Sequence, residues 1–175
     1  MSEFEITALV LSEHDVLRRA FTALEEAEGP ALEAAWTELA DRLEVHAAAE
    51  ESLFYPLLAD TGREGQQETE HGVHDHNDIR RAVREVADAE AGSDAWWIAV
   101  RAAQESNAEH MAQEEREYVP GFREAVPQER REELGMQWMA FHDDHKDARG
   151  LSGGDADPQT VIAADVPEVG DLLEP

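Results

Sequence analysis

The chain has 175 residues, of which 42% are hydrophobic, enough for one domain with a buried core. A formal charge of −27 argues against nucleic acid or an anionic membrane as a partner, and the absence of cysteine excludes disulfides, iron–sulfur ligation and thiolate catalysis. No run approaches the ~18 apolar residues of a membrane span, and the acidic N-terminus lacks a basic n-region, so a cytoplasmic location is expected.

Ile6, Val10, His14, Leu17, Phe21 and Leu24 are spaced by threes and fours, which predicts an amphipathic first helix from Ile6 to about Glu28. Gly29-Pro30 ends it and begins a second helix, whose stripe runs Leu32, Trp36, Leu39, Leu43, His46, Glu50, Leu53, Leu57. Pro56 is expected to bend the last turn of that helix, and Thr61 to Gly65 to form the next connection. A third helix presents Val73, His76, Ile79, Val83 and Val86. After Gly92, with Ser93 as N-cap, a fourth presents Trp96, Val100, Ala103, Asn107, His110, Glu114 and Tyr118. A fifth is expected from Pro127 to about Ala148, with Leu134, Trp138, Phe141 and His145 on its apolar side. The acidic remainder reads as an extended or partly disordered tail. The fold class is therefore all-α: an up-down-up-down four-helix bundle in residues 1–125, a C-terminal helix in 126–149 packed on it, and a tail in 150–175.

Two repeats run through the bundle. HAAAEESLFYP (residues 46–56) is echoed by HMAQEEREYVP (residues 110–120), each with Glu four and five residues after His and Pro at ten. HDVLRRAF (residues 14–21) is echoed by HNDIRRAV (residues 76–83). The chain thus reads as one helical hairpin used twice. Residues i and i+4 share a helix face, so His46 with Glu50 and His110 with Glu114 each form an imidazole–carboxylate pair, suited to iron, zinc or manganese. At ~1.5 Å rise per residue, His14, His46, His76 and His110 all stand roughly 24 Å from the turns at 29/30 and 92/93. These two turns share one end of an up-down-up-down bundle, so the four histidines fall in one layer with Glu50 and Glu114 a turn further along. Burying two unpartnered carboxylates would cost several kcal/mol each, and the arginines at 18/19 and 80/81 do not follow the core stripe. Metal ions would neutralise the carboxylates.

The other histidines fit a ligand role less well. His71 and His74 are expected on the polar side of the third helix, and His142 and His145 have no repeat partner. Glu51 and Glu115 stand one step off the ligand face, in supporting or solvated positions. Phe54 and Tyr118 are equivalent positions eight residues after each His; packing is the expectation there, though Tyr118 could hydrogen-bond a bound carboxylate or oxygen species.

Residues 6 to about 125 resemble the hemerythrin-like, or HHE cation-binding, family. The resemblance rests on His14, HAAAEESLFYP, His76 followed by Ile79-Arg80, and HMAQEEREYVP. It implies two non-haem irons (Fe2+/Fe3+) with an oxo or hydroxo bridge, His14, His46, His76 and His110 as terminal ligands, and Glu50 and Glu114 as bridges. Oxygen-carrying members have a HxxxH pair on the third helix, whereas this chain has Gly72 four residues before His76, and its second carboxylate is Glu at +4 where the carriers have Asp at +5. The pattern is closer to members that respond to iron, nitric oxide or peroxide, and an open coordination position is expected beside Gly72. The resemblance thus implies a di-iron protein that binds or reacts with oxygen, hydrogen peroxide or nitric oxide, with catalase- or peroxidase-like turnover as one outcome. The alternatives are an iron or oxygen sensor without turnover, iron storage, and a structural zinc bundle. The sequence leaves the oligomeric state open.

Overall fold

The computed structural model describes residues 4–166; residues 1–3, and 167–175 of the predicted tail, lie outside the described residues. Among the described residues all regular structure is helical, without strands. α1 (Ile6–Glu25) and α2 (Pro30–Ala49) form the first hairpin. α2 passes through a π-helical turn (Glu50–Phe54) into α3 (Tyr55–Asp60). α4 (Arg63–Ala87) and α5 (Asp94–Gln113) form the second hairpin, and α5 passes through a matching π-turn (Glu114–Tyr118) into α6 (Val119–Ala125). α1 packs on α2 and α5, and α4 on α2 and α5, which closes the ring of an up-down-up-down four-helix bundle. No helix among the described residues is long and apolar enough to cross a membrane.

The two π-turns have one cause. A proline has no N–H to give to the carbonyl four residues back, and its ring crowds that carbonyl. Ahead of both Pro56 and Pro120 the helix widens by one residue, so that Tyr55 N–H bonds to Glu50 O and Val119 N–H to Glu114 O. The predicted bend at Pro56 is thus an inserted residue within a continuing helix. The insertion also shifts the register: after Glu50, the residue stacked above it is Tyr55, five positions on.

Local chemistry sets the ends. Ser93 Oγ accepts from Trp96 N–H at 3.2 Å, capping α5 as expected. The connection after α3 is shorter than Thr61 to Gly65, because Gly62 takes φ 130° and α4 starts at Arg63.

The bundle interior is two apolar clusters separated by a polar layer. One holds Ile6, Val10, Phe54, Leu58, Val73, Val119 and Phe122; the other holds Leu17, Phe21, Leu39, Leu43, Ile79, Trp96 and Val100. His14, His46, His76, His110, Glu50 and Glu114 lie between them, each at most 2% exposed.

α7 (Gln128–Asp144) packs along α1 and α2 with Leu134, Gly135 and Trp138 buried. It ends at Asp144, not near Ala148, because Asp147 and Ala148 adopt φ of 57° and 53° and turn the chain back across α2. Residues 150–157 then run without regular structure over α4. There Arg84 binds Gly153 O and Asp155, and Asn77 bonds both N–H and C=O of Ala156. α8 (Pro158–Ile162) packs on α3 and α4 and places Val161 in the first apolar cluster.

α7 is fastened at its start by Glu5, which is fully buried and accepts from Arg131 Nε at 3.0 Å and Arg123 Nη2 at 3.3 Å. Beside it a Cβ on Gly135 would overlap the Phe4 carbonyl. Gly135→Ala should therefore cost about 1–3 kcal/mol by forcing α7 off α1. Gly121→Ala, where a Cβ meets nothing within 4 Å, should be neutral or gain up to about 1 kcal/mol. Urea unfolding of both variants checks the ranking.

Candidate metal centre

The six residues singled out by the repeats meet in the polar layer. His14, His46, Glu50 and Glu114 bring one ligand atom each to within 4.8 Å of one another, and Glu50, His76 and His110 form a second such group. Glu50 belongs to both: Oε1 lies 3.4 Å from His46 Nε2 and Oε2 3.1 Å from His76 Nε2. Glu114 Oε2 likewise reaches His14 Nε2 at 3.1 Å and His110 Nε2 at 3.4 Å. Four of these buried atoms, His14 Nε2, His46 Nε2, Glu50 Oε1 and Glu114 Oε2, have no hydrogen-bond partner. Fully buried lone pairs that face one another without donors fit a cation.

Each imidazole is oriented from behind by a carboxylate on its Nδ1. Glu115 holds His14 at 2.9 Å, Glu13 holds His46 at 3.0 Å, Glu51 holds His76 at 2.9 Å and Asp75 holds His110 at 3.3 Å. An ionised carboxylate only accepts, so Nδ1 carries a proton and Nε2 is turned inward, where it can bind a cation once unprotonated. The partners cross over. Glu13, next to His14, serves His46; Asp75, next to His76, serves His110; Glu51 and Glu115 follow the two inner glutamates and serve His76 and His14.

Arginines support this outer ring. Arg80 is 6% exposed and clasps Glu51 with Nη1 at 2.8 Å and Nη2 at 2.9 Å while its Nε binds Glu44 at 2.8 Å. In the other half Arg18 binds Glu115 at 2.5 Å. Both stand four residues after the lone histidine of their repeat. The sequence placed them off the core stripe, and Arg80 is nevertheless buried; both neutralise outer carboxylates and leave Glu50 and Glu114 to the interior.

The electrostatics of the layer follow from these contacts. Burial would lower the His110 pKa, but Glu114, Asp75 and Glu50 outweigh it and raise it to about 10. His14 is raised in the same way, against burial, by Glu114, Glu50 and Glu115. Burial would raise Glu50, but His46, His110 and His76 hold it well below its ordinary value; Glu51 is lowered against burial by His76 and Arg80.

One further polar group reaches the layer, and it is not Tyr118. The π-turn register puts the Tyr55 hydroxyl at 2.8 Å from Glu114 Oε1, to which it donates, and at 3.5 Å from His110 Nε2. A Cβ on Gly72 would overlap this phenol, so the space beside Gly72 that the sequence reading left open is filled by Tyr55. Burial, with Glu114 and Glu50 nearby, pushes the Tyr55 pKa well up and keeps its proton in place. Tyr118 instead meets His71 Nδ1 at 3.4 Å.

The remaining histidines stay out of the layer. His71 and His74 are exposed, and His145 Nδ1 donates to Arg149 O at 2.9 Å. On α7 it is His142, one turn beyond Trp138, that approaches, with Nδ1 3.3 Å from Glu13. The contributions of Glu13 and Asp75 were absent from the sequence reading. Their signal was an acidic residue immediately before each lone histidine, Glu13-His14 and Asp75-His76.

No curated protein and no solved structure matches the chain. Residues 5–122 match the family described as Hemerythrin HHE cation binding domain, a span that runs from the start of α1 into α6 and leaves α7, the irregular strap of residues 150–157 and α8 outside it. With more than half its length matched, and with buried His and Glu clusters disposed to hold metal, the chain belongs to the hemerythrin HHE cation-binding domain family.

Proposed function

We propose that the polar layer holds two iron ions, with His14, His46, His76 and His110 as terminal ligands and Glu50 and Glu114 shared between the ions. The centre then binds or reacts with small oxidants: oxygen, hydrogen peroxide or nitric oxide. The observation that carries the reading is the set of four buried, unpartnered nitrogen and oxygen atoms facing one another between two apolar clusters. Nitrogen and oxygen donors with shared carboxylates suit iron better than tetrahedral zinc. Bound iron supplies a change of oxidation state and positions for an exogenous ligand. Around it, the outer carboxylates hold the imidazole protons on Nδ1, the apolar clusters exclude bulk water, and Tyr55 presents a hydroxyl whose proton is retained.

A sensing role without turnover is the second reading. It is favoured by Ala148 and Leu151–Gly153, which line the same cavity as His46, His76 and His110 and would register a change there.

Three outcomes follow. Glu50→Ala and Glu114→Ala should each lose most bound iron, because each carboxylate serves both ions, whereas His74→Ala should retain it; metal analysis of folded variants decides, and the opposite ranking would refute the ligand set.

For the metal-free protein, the His110 pKa of 6.5 in the unfolded chain rises to about 10 on folding. That contribution to stability is complete below pH 6.5 and lost as pH rises through about 10. The lowered pKa values of Glu50 and Glu51 act in the opposite sense: their contribution is present above the ordinary 4.5 and lost as pH falls below it. Coordination takes unprotonated Nε2, so bound iron removes the alkaline loss. Thermal melts with and without chelator should show the metal-free midpoint falling between about pH 6 and pH 10 and the iron-loaded midpoint falling less.

Finally, the iron-loaded protein should consume many equivalents of peroxide, and Tyr55→Phe should retain iron and slow consumption by about tenfold or more, the scale of one charge-assisted hydrogen bond. Peroxide loss that stops at one equivalent per centre would favour the sensor.

A further inference from the structure

A cavity of about 300 Å3 opens directly onto the imidazole layer, with His46, His76 and His110 at its floor. Its walls are Leu43 from α2 and Ile79 and Val83 from α4, and its outer wall is the strap after α7, through Leu151. The strap is anchored from α4 by Arg84 and Asn77.

The volume says what class of molecule fits. Dioxygen or peroxide needs a fraction of it, whereas about 150 Å3 suffices for benzene. The arginines at the cavity are already committed. Arg80 is taken up by Glu44, Glu51 and Asn77, and Arg84 by the strap. With Asp41 and Glu44 also lining it and a chain charge of −27, nothing there recruits an anion. A neutral polar group faces the cavity as well. Asn107 lies one turn before His110, is 2% exposed and lines the cavity. Among the described residues its amide makes a single contact, from Nδ2 to the Met111 sulfur at 3.6 Å. Its amide can both donate to and accept from a ligand in the cavity it lines.

The geometry points to a binding site for a small neutral organic molecule, about one ring in size, whose single polar group is held by Asn107 and whose apolar body lies between α2, α4 and the strap. This names the class of ligand presented to the proposed iron centre and rests on that reading only for the ligand's nearness to iron; the walls are protein.

The test uses the full-length iron-loaded protein and two probes, benzyl alcohol and toluene, titrated by calorimetry with iron content measured on the same samples. Both should bind one to one, and the iron should enhance their proton relaxation. Leu151→Trp, in the irregular strap, should weaken both by tenfold or more by filling the cavity. Asn107→Leu should weaken benzyl alcohol about tenfold and spare toluene, which a merely structural effect would not do. Absence of saturable binding, indifference of both probes to Leu151→Trp, or an equal loss of both probes with Asn107→Leu would overturn the proposal. Probe binding by wild-type protein that takes up no iron would support the cavity and sink the iron reading; iron retained without probe binding would sink the cavity alone.

Discussion

Two carboxylates in the middle of a helical bundle are the constraint from which the rest follows. Glu50 and Glu114 are fully buried, and an uncompensated buried carboxylate is strongly destabilising. The interior answers with imidazoles from all four bundle helices, and each imidazole is in turn answered by an outer carboxylate. The outer carboxylates end on arginine or at the surface. Charge thus alternates outward from the layer, and the apolar clusters above and below confine it to one level.

Duplication makes this arrangement economical. Each half contributes a lone histidine with an acid before it and an arginine four residues after, then a His–Glu pair with a second Glu behind. Because the outer carboxylates bind across, the layer cannot be assembled from a single helix: Glu13 of α1 orients His46 of α2, and Asp75 of α4 orients His110 of α5. Bundle packing and imidazole orientation are therefore one event.

The halves differ where their π-turns deliver the next side chain. Glu50 is followed five residues on by Tyr55 and Glu114 by Val119, so one side of the layer receives a hydroxyl and the other an aliphatic wall. Both turns start at the inner glutamate itself, since the proline that provokes them stands six residues later in both repeats. The widened turn and the asymmetric donor have the same origin.

Helical periodicity and the doubled HxxxE pattern were enough to determine the all-α bundle, its turns at 29/30 and 92/93 and the meeting of His14, His46, His76, His110, Glu50 and Glu114, because equal helix lengths measured from shared turns put those residues at one height. Tertiary structure decided what periodicity cannot carry. The π-turns broke the 3.6-residue register and replaced Tyr118 by Tyr55 at the centre. Crossed contacts between helices recruited Glu13 and Asp75, which an isolated helix leaves on its flank. Two residues in the left-handed region ended α7 early and sent the strap over α2 and α4, making the wall of the cavity beside the imidazoles. Each of these depends on which helices touch, and that is settled only when the whole bundle closes.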